Sequence, residues 1–176
     1  MNDPATVQRR EVPSQEWVES IEAARAEGFT FFDWLTAVDQ TDAADTPGFD
    51  VVCHLMDGST PTSLRRMMIR TRVSDGEALA SVTPVFRGAA WHERETHEMF
   101  GLDFDGFDDG TGQDLRPLLL PDGFEGTPLR KSFVLAARAS KAWPGAKEPG
   151  ESEHSKPTGR RRVSAPGVPD ADWGPR

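Results

Sequence analysis

Residues 91–133 read WHERETHEMFGLDFDGFDDGTGQDLRPLLLPDGFEGTPLRKSF, and the reading of this stretch organises the rest of the chain. Its first third predicts a short helix. Trp91, Glu95 and Met99 recur four apart with Phe100 beside them, which makes one stripe mostly apolar. Glu93 with His97, and Arg94 with Glu98, are i,i+4 pairs suited to the solvated side, and Gly101 falls where a glycine ends a helix. Glu95 is then a carboxylate on the face that should meet protein, so it needs a partner there. Beyond Gly101 come the turn-rich LDFDGFDDGTGQD, an apolar run LRPLLLPDG closed by Pro117 and Pro121, and GFEGTPLRKSF with Arg130 and Lys131. Irregular chain of this length inside a domain is usually functional or interface-forming.

Three blocks of that stretch, ERETHEMFG at Glu93–Gly101, DLRPLLLPD at Asp114–Asp122 and FEGTPLRKSF at Phe124–Phe133, together resemble one family signature. It is that of the 30 kDa subunit of respiratory complex I, known as the C subunit in the bacterial NADH-quinone oxidoreductase, and its region covers about a quarter of the chain. The resemblance marks Glu93, Arg94, Glu95, Glu98, Phe100, Gly101, Asp114, Arg116, Gly126, Pro128, Leu129, Arg130 and Lys131 as signature and partner-interface positions. One departure stands out. Where the family has Gly-His-Pro, this chain has Gly106 and Phe107 within a longer acidic loop over 105–114 without histidine, so no role of that histidine carries over.

The resemblance implies a two-layer α+β fold with an extended C-terminal arm. It further implies a peripheral-arm subunit on the cytoplasmic side of the membrane, with no catalytic, cofactor-binding or metal-binding residues of its own. Such a subunit packs on the neighbouring D subunit, which with the B subunit forms the quinone-reducing site, and it reaches the membrane only through partners. FMN and iron–sulfur clusters of partner subunits then carry electrons from NADH to quinone in a proton-translocating complex. The equivalent subunit of a related membrane-bound hydrogenase, or of a dehydrogenase using another donor, fits the same signature. From other classes, a free-standing partner-binding module and a metallohydrolase remain to be weighed.

The rest of the chain is consistent with such a domain over 14–135. Residues 1–13, MNDPATVQRREVP, read as a flexible N-terminus without the apolar core of a secretory signal. Ser14 is placed to cap a helix running to about Glu27, with Trp17, Val18, Ile21 and Ala24 as a narrow stripe and Gly28 as its stop. Phe29–Asp39 predicts a buried strand, Phe49–Met56 a second, and Ser63–Val73 a third with arginines outward. A weak helix is expected over 77–86, starting from Ser74-Asp75-Gly76 and broken near Pro84. This order predicts a small α+β domain, with a mixed or antiparallel sheet and helices on one face.

Composition narrows the function classes. The 176 residues suit one domain plus extensions, and no apolar run approaches the roughly 20 residues that span a bilayer. The formal charge is −9, yet residues 136–176 hold eight Lys/Arg against five Asp/Glu, so the body is the acidic part. An acidic body does not suit nucleic acid, whose non-specific binding depends on neutralising phosphates. The Pro/Gly/charge-rich segment 136–176 reads as an extended arm, with Trp143 and Trp173 as candidate partner anchors and Arg160–Arg162 as a solvated basic cluster.

The chemistry-bearing motifs are weak ones. His92 and His97 are five apart, about 140° around a helix, whereas the zinc helix needs four. An ordinary iron–sulfur cluster takes about four thiolates, and this chain has only Cys53, in a strand-like VVCHL where a small core residue is expected. DDGTGQD lacks the lysine of a phosphate loop and the ligand pattern of a calcium loop, and reads as a solvated turn. Arg94, Arg116, Arg130 and Lys131 are left as the residues of interest. They either pair within the chain, with Glu95, Glu98 or Asp114, or meet carboxylates across an interface, and the PLRK segment is expected to face a neighbour.

Overall fold

Strand pairing in a computed structural model, described over residues 7–60 and 62–134, sets the frame. Strands β1 (Val7–Glu11), β2 (Phe31–Gln40), β3 (Gly48–Asp57) and β4 (Arg65–Val73) form one sheet in the order β1-β4-β3-β2. β1 runs parallel to β4 and the other pairs are antiparallel, so the sheet is mixed. Helices α1 (Trp17–Ala26) and α2 (Ala89–Phe100) share one core cluster with a single face of this sheet. The expected two-layer α+β architecture is the one observed.

The core face follows from strand alternation. Leu35 and Ala37 of β2, Val51, Cys53 and Leu55 of β3, and Met67 and Ile69 of β4 point to the helices and are buried. A β-bulge lies between Phe32 and Trp34. The extra residue lets Phe32 share the core side with Leu35, where its ring lies 5.8 Å from Phe86 and 5.4 Å from His92. Trp17, Ile21 and Ala24 of α1 are fully buried against the same layer. Each such large apolar side chain contributes about 1.5–3 kcal/mol. Arg65 locks α1 to the β3–β4 hairpin: its guanidinium lies 4.6 Å over Phe29, donates to the Glu27 carbonyl at 2.9 Å, and pairs with Asp57.

Several local expectations are corrected. Residues 1–13 are not all flexible chain, because Val7–Glu11 pair with Arg66–Arg70. The polar VQRRE gives no hydrophobic signal; it is held by backbone pairing and by Arg10 to Glu27 at 2.5 Å. Ser14 does not cap α1 but starts a 3-10 turn, Ser14–Glu16, in which the Glu16 N–H bonds the Pro13 carbonyl at 3.0 Å. Gly28, with φ 105, ends the helix as expected. β2 begins at Phe31 and is an edge strand buried on one face only, with Phe31 57% exposed.

The expected weak helix over 77–86 is absent. Leu79–Ala80 instead form a short strand, β5, parallel to β6 (Phe104–Asp105). Thr83 precedes Pro84, which disfavours helical backbone there, and the Ser81 hydroxyl accepts the Thr83 N–H at 3.1 Å. No helix among the described residues is long and apolar enough to cross a membrane. The arm expected over 136–176, with Trp143, Trp173 and Arg160–Arg162, lies outside the described residues.

Candidate functional site

The signature segment is built on α2, whose buried face is Ala89, Glu93, Thr96 and Phe100. This corrects the expected stripe. The helix begins at Ala89, Trp91 points outward at 45% exposure, and Glu95 is half-buried. The carboxylate that faces protein is Glu93, with no exposed surface at all. Its two oxygens accept the Ser81 hydroxyl and the Val82 N–H, both at 2.7 Å. Ser81 Oγ lies 2.7 Å from Thr83 Oγ1, which in turn accepts the Asp108 N–H at 3.2 Å. Burial raises the Glu93 carboxyl to about 7, against the smaller opposing effect of its two donors. Burial, and secondarily the Glu93 charge, pushes the Cys53 thiol up, so Cys53 is an inert core residue.

The outer side of α2 grips irregular chain by its backbone. Glu98 accepts the N–H groups of Leu118, Leu119 and Leu120 at 2.9, 2.7 and 3.0 Å. Burial opposes ionisation of Glu98, but those three donors and the nearby Arg94 charge outweigh it and hold the carboxyl below its usual range. Arg94 donates to the carbonyls of Arg116 at 3.2 Å and Pro117 at 2.7 Å. The expected Glu93–His97 and Arg94–Glu98 ion pairs therefore do not form. Each of Glu93, Arg94 and Glu98 is committed to another element, where it satisfies groups that would otherwise lack a partner.

The PLRK segment is fixed from two sides. Leu129 N–H bonds the Met99 carbonyl at 3.1 Å, which leaves its side chain 56% exposed. Arg130 donates to the Phe100 carbonyl at 2.5 Å, pairs with Asp75 at 3.0 Å, and lies 4.9 Å over the Phe49 ring. Asp39, buried at the end of β2, accepts the Lys131 N–H at 2.6 Å, and Lys131 Nζ reaches Asp42 at 2.6 Å. Gly101 is left-handed, with φ 69, and passes close enough to Thr127 that a Cβ would sit 3.1 Å from its methyl group. Gly126, with φ 103, packs under Phe133, whose ring stacks at a tilt 6.0 Å from Phe124. Pro128 is half-buried within this clamp.

Arg116 pairs with Asp109 and lies 3.3 Å from the Thr111 hydroxyl. The Thr111 hydroxyl, then Arg116, hold the Asp109 carboxyl well below the usual range. Asp114 is exposed, and its carbonyl accepts the Arg116 N–H at 2.6 Å. The intrachain partners of Arg94, Arg116, Arg130 and Lys131 are thus backbone carbonyls, Asp109, Asp75 and Asp42, not Glu95, Glu98 or Asp114. Sequence reading misses Asp39, Asp75 and Ser81, because the contacts that tie them to the signature segment, to Lys131, Arg130 and Glu93, span 12 to 92 residues. Between α2 and residues 115–127 lies a cleft of about 440 Å³, lined by His97, Leu115, Leu120, Pro121 and Phe124. Among the described residues no group of three or more metal-ligating side chains gathers.

Fold and site define a class: a small mixed-sheet α+β domain that clamps an irregular segment along its second helix. Residues 10–139 match the family described as "Respiratory-chain NADH dehydrogenase, 30 Kd subunit", and the chain belongs to that family. It is 45% identical over 85 residues to the NADH-quinone oxidoreductase C subunit of Agrobacterium fabrum, covering 48% of this chain and 38% of that one. With the C subunit numbered 2 of Rhizobium etli it shares 35% identity over 144 residues, 81% of this chain and 72% of the other. The chain thus spans well under two thirds of the Agrobacterium relative. Its fold is similar to a trypsin-resistant fragment of Nqo5 (TM-score 0.52, 24% identity, 62% of this chain and 86% of that one). It is also similar to a chain of an archaeal membrane-bound sulfane sulfur reductase (TM-score 0.60, 23% identity, 86% of each).

Proposed function

We propose that this chain is a cofactor-free structural subunit of the peripheral arm of a proton-translocating NADH-quinone oxidoreductase. It sits on the cytoplasmic side of the membrane, held there by partners, and packs on the equivalents of the D and B subunits. Its work is positional: it keeps redox and quinone-binding neighbours in register, while FMN and iron–sulfur clusters of other subunits move electrons from NADH to quinone. The observation that carries this reading is the family match over residues 10–139.

The geometry of the signature segment supports the same role. Glu98, Arg94, Arg130 and Asp39 spend their charges on the chain's own backbone, which anchors the segment at residues 116–120 and 130–131. That anchored segment turns Leu119, Phe124, Leu129 and Val134 outward as large exposed apolar side chains. Preorganised apolar side chains lower the ordering cost of association. The signature residues are therefore positioning residues, and the apolar side chains between them form the contact.

The test is an affinity pull-down of the tagged full chain from detergent-solubilised membranes, with co-purifying proteins identified. Iron–sulfur and membrane subunits with NADH-quinone activity are expected. A nickel–iron subunit in their place would transfer the reading to a hydrogenase. A chain recovered alone would end it.

A further inference from the structure

The sheet has a second face, turned away from both helices. Register places Phe31, Trp34, Thr36 and Val38 of β2 there, with Asp50, Val52, His54 and Met56 of β3. Arg66, Met68, Arg70 and Arg72 of β4 join them, followed by Val7, Arg9 and Glu11 of β1. A solvated sheet face ordinarily alternates to polar residues. This one instead carries an apolar band, with Phe31 57% and Val38 46% exposed and Trp34, Met56 and Met68 half-buried beside them. Trp34 stacks on His54 at 5.4 Å, and His54 bonds Asp33 at 2.8 Å, which holds the Trp34 ring against the sheet. A shallow depression of about 410 Å³, lined by Val38, Val52, Met68, Arg9 and Arg70, lies along it.

The charges flanking the band are unbalanced. Four arginines, Arg9, Arg66, Arg70 and Arg72, stand on this face of a chain whose net charge is −9. Arg70 pairs with Glu11 and Asp50, and Arg72 with Asp50. Arg9 and Arg66 form no ion pair among the described residues. Arginine, methionine and aromatic side chains, which this face carries, are those enriched at protein interfaces. Arg9 and Arg66, set in place on paired strands, suit carboxylates in set positions better than a fluid lipid headgroup layer.

We infer that the open sheet face, from Phe31 and Val38 across to Arg66 and Arg9, docks a protein partner that presents an apolar patch rimmed by Asp and Glu. This surface is distinct from the clamped segment 101–134, which lies on the helix side. The inference rests on the subunit reading only for the partner's identity. With Arg9 and Arg66 opposite acidic residues, their reversal sets like charges face to face and weakens the docking.

The experiment places a photoreactive benzoylphenylalanine at Val38 in the full chain, with the same probe at Glu22 on the exposed side of α1 for comparison. Cross-linking is done in intact cells and the linked peptides are identified by mass spectrometry. The expected result is one discrete adduct at position 38, to a peptide of another protein rich in Asp and Glu. Its yield should fall about tenfold or more in Arg9→Glu with Arg66→Glu, while the thermal melt of that double variant moves little.

Labelling no more discrete than at position 22, an adduct to lipid, an adduct to this chain's own residues, or a yield unmoved by charge reversal would each overturn the inference. An acidic partner from outside the oxidoreductase would keep the surface and remove the subunit assignment. Oxidoreductase subunits that co-purify without any adduct at position 38 would do the reverse.

Discussion

The sheet with its two helices and the segment 101–134 are held by different forces. In the first, apolar side chains at alternating and helical spacings meet in one core, from Trp17 and Ile21 through Leu55 and Met67. In the second, residues 114–134 are at most half-buried, and charged side chains grip their backbone. Glu98 takes three of the segment's N–H groups, Arg94 two of its carbonyls and Asp39 one of its N–H groups, while Arg130 of the segment donates to the Phe100 carbonyl at the end of α2. Chain without secondary structure must still satisfy its backbone groups, and here named side chains do so. A family signature dense in charge can thus encode a clamp rather than a reaction.

That contrast can be broken by experiment. Phe49→Ala removes a fully packed ring from the core, and about 3–5 kcal/mol of global stability should go with it in a denaturant titration. A cost below that of a surface substitution would mean that the core is not what holds the domain.

Glu93 links the two regions through pH. Its native carboxyl is raised from 4.5 to about 7, so between those values the folded state holds a proton that the unfolded state has lost. The stability from that proton is fully present below about pH 4.5 and is lost as pH rises through about 7. The amount is on the order of 3 kcal/mol. Glu93→Gln should flatten stability against pH across this window, since the amide can donate to Ser81 while Ser81 donates to Thr83. An unchanged slope in Glu93→Gln would mean that the proton is bound elsewhere.

Glu98→Ala should act locally, by about 1–3 kcal/mol, because it strands amides rather than core area. Native-state hydrogen exchange should quicken at Leu118–Leu120 while the global midpoint barely moves; a shift in the midpoint with exchange unchanged would merge the two regions into one. The smallest effect is expected from Gly126→Ala. A side chain in left-handed backbone costs about 1–2 kcal/mol, and its Cβ would meet the Phe133 ring at 2.9 Å. Faster tryptic cleavage at Arg130 would report it, and wild-type cleavage rates would mean that this glycine is not constrained.

What can be read from the sequence divides along the same line. β2, β4 and α1 are legible within a residue or two, since burial on one face leaves a period in the residues themselves, and β3, buried on both faces, shows as a short apolar run bounded by turn residues. β1 is not, because VQRRE is held by backbone pairing to β4, which leaves no hydrophobic mark. Apolarity alone points to the wrong face of α2. Glu93 is buried through hydroxyl and amide donors from Ser81 and Val82, contacts that no spacing within the helix reveals. The signature marks Arg94, Glu98, Arg130 and Lys131 as important, but their partners are far away in sequence and only the fold supplies them.

The most direct test of the positional claim combines Arg130→Ala with Lys131→Ala, and measures both the amount of intact membrane complex and NADH-quinone turnover per complex. Less complex is expected, with the turnover of each assembled copy unchanged. Normal amounts of intact complex with turnover lost would contradict the claim, and would give this segment a part in the chemistry.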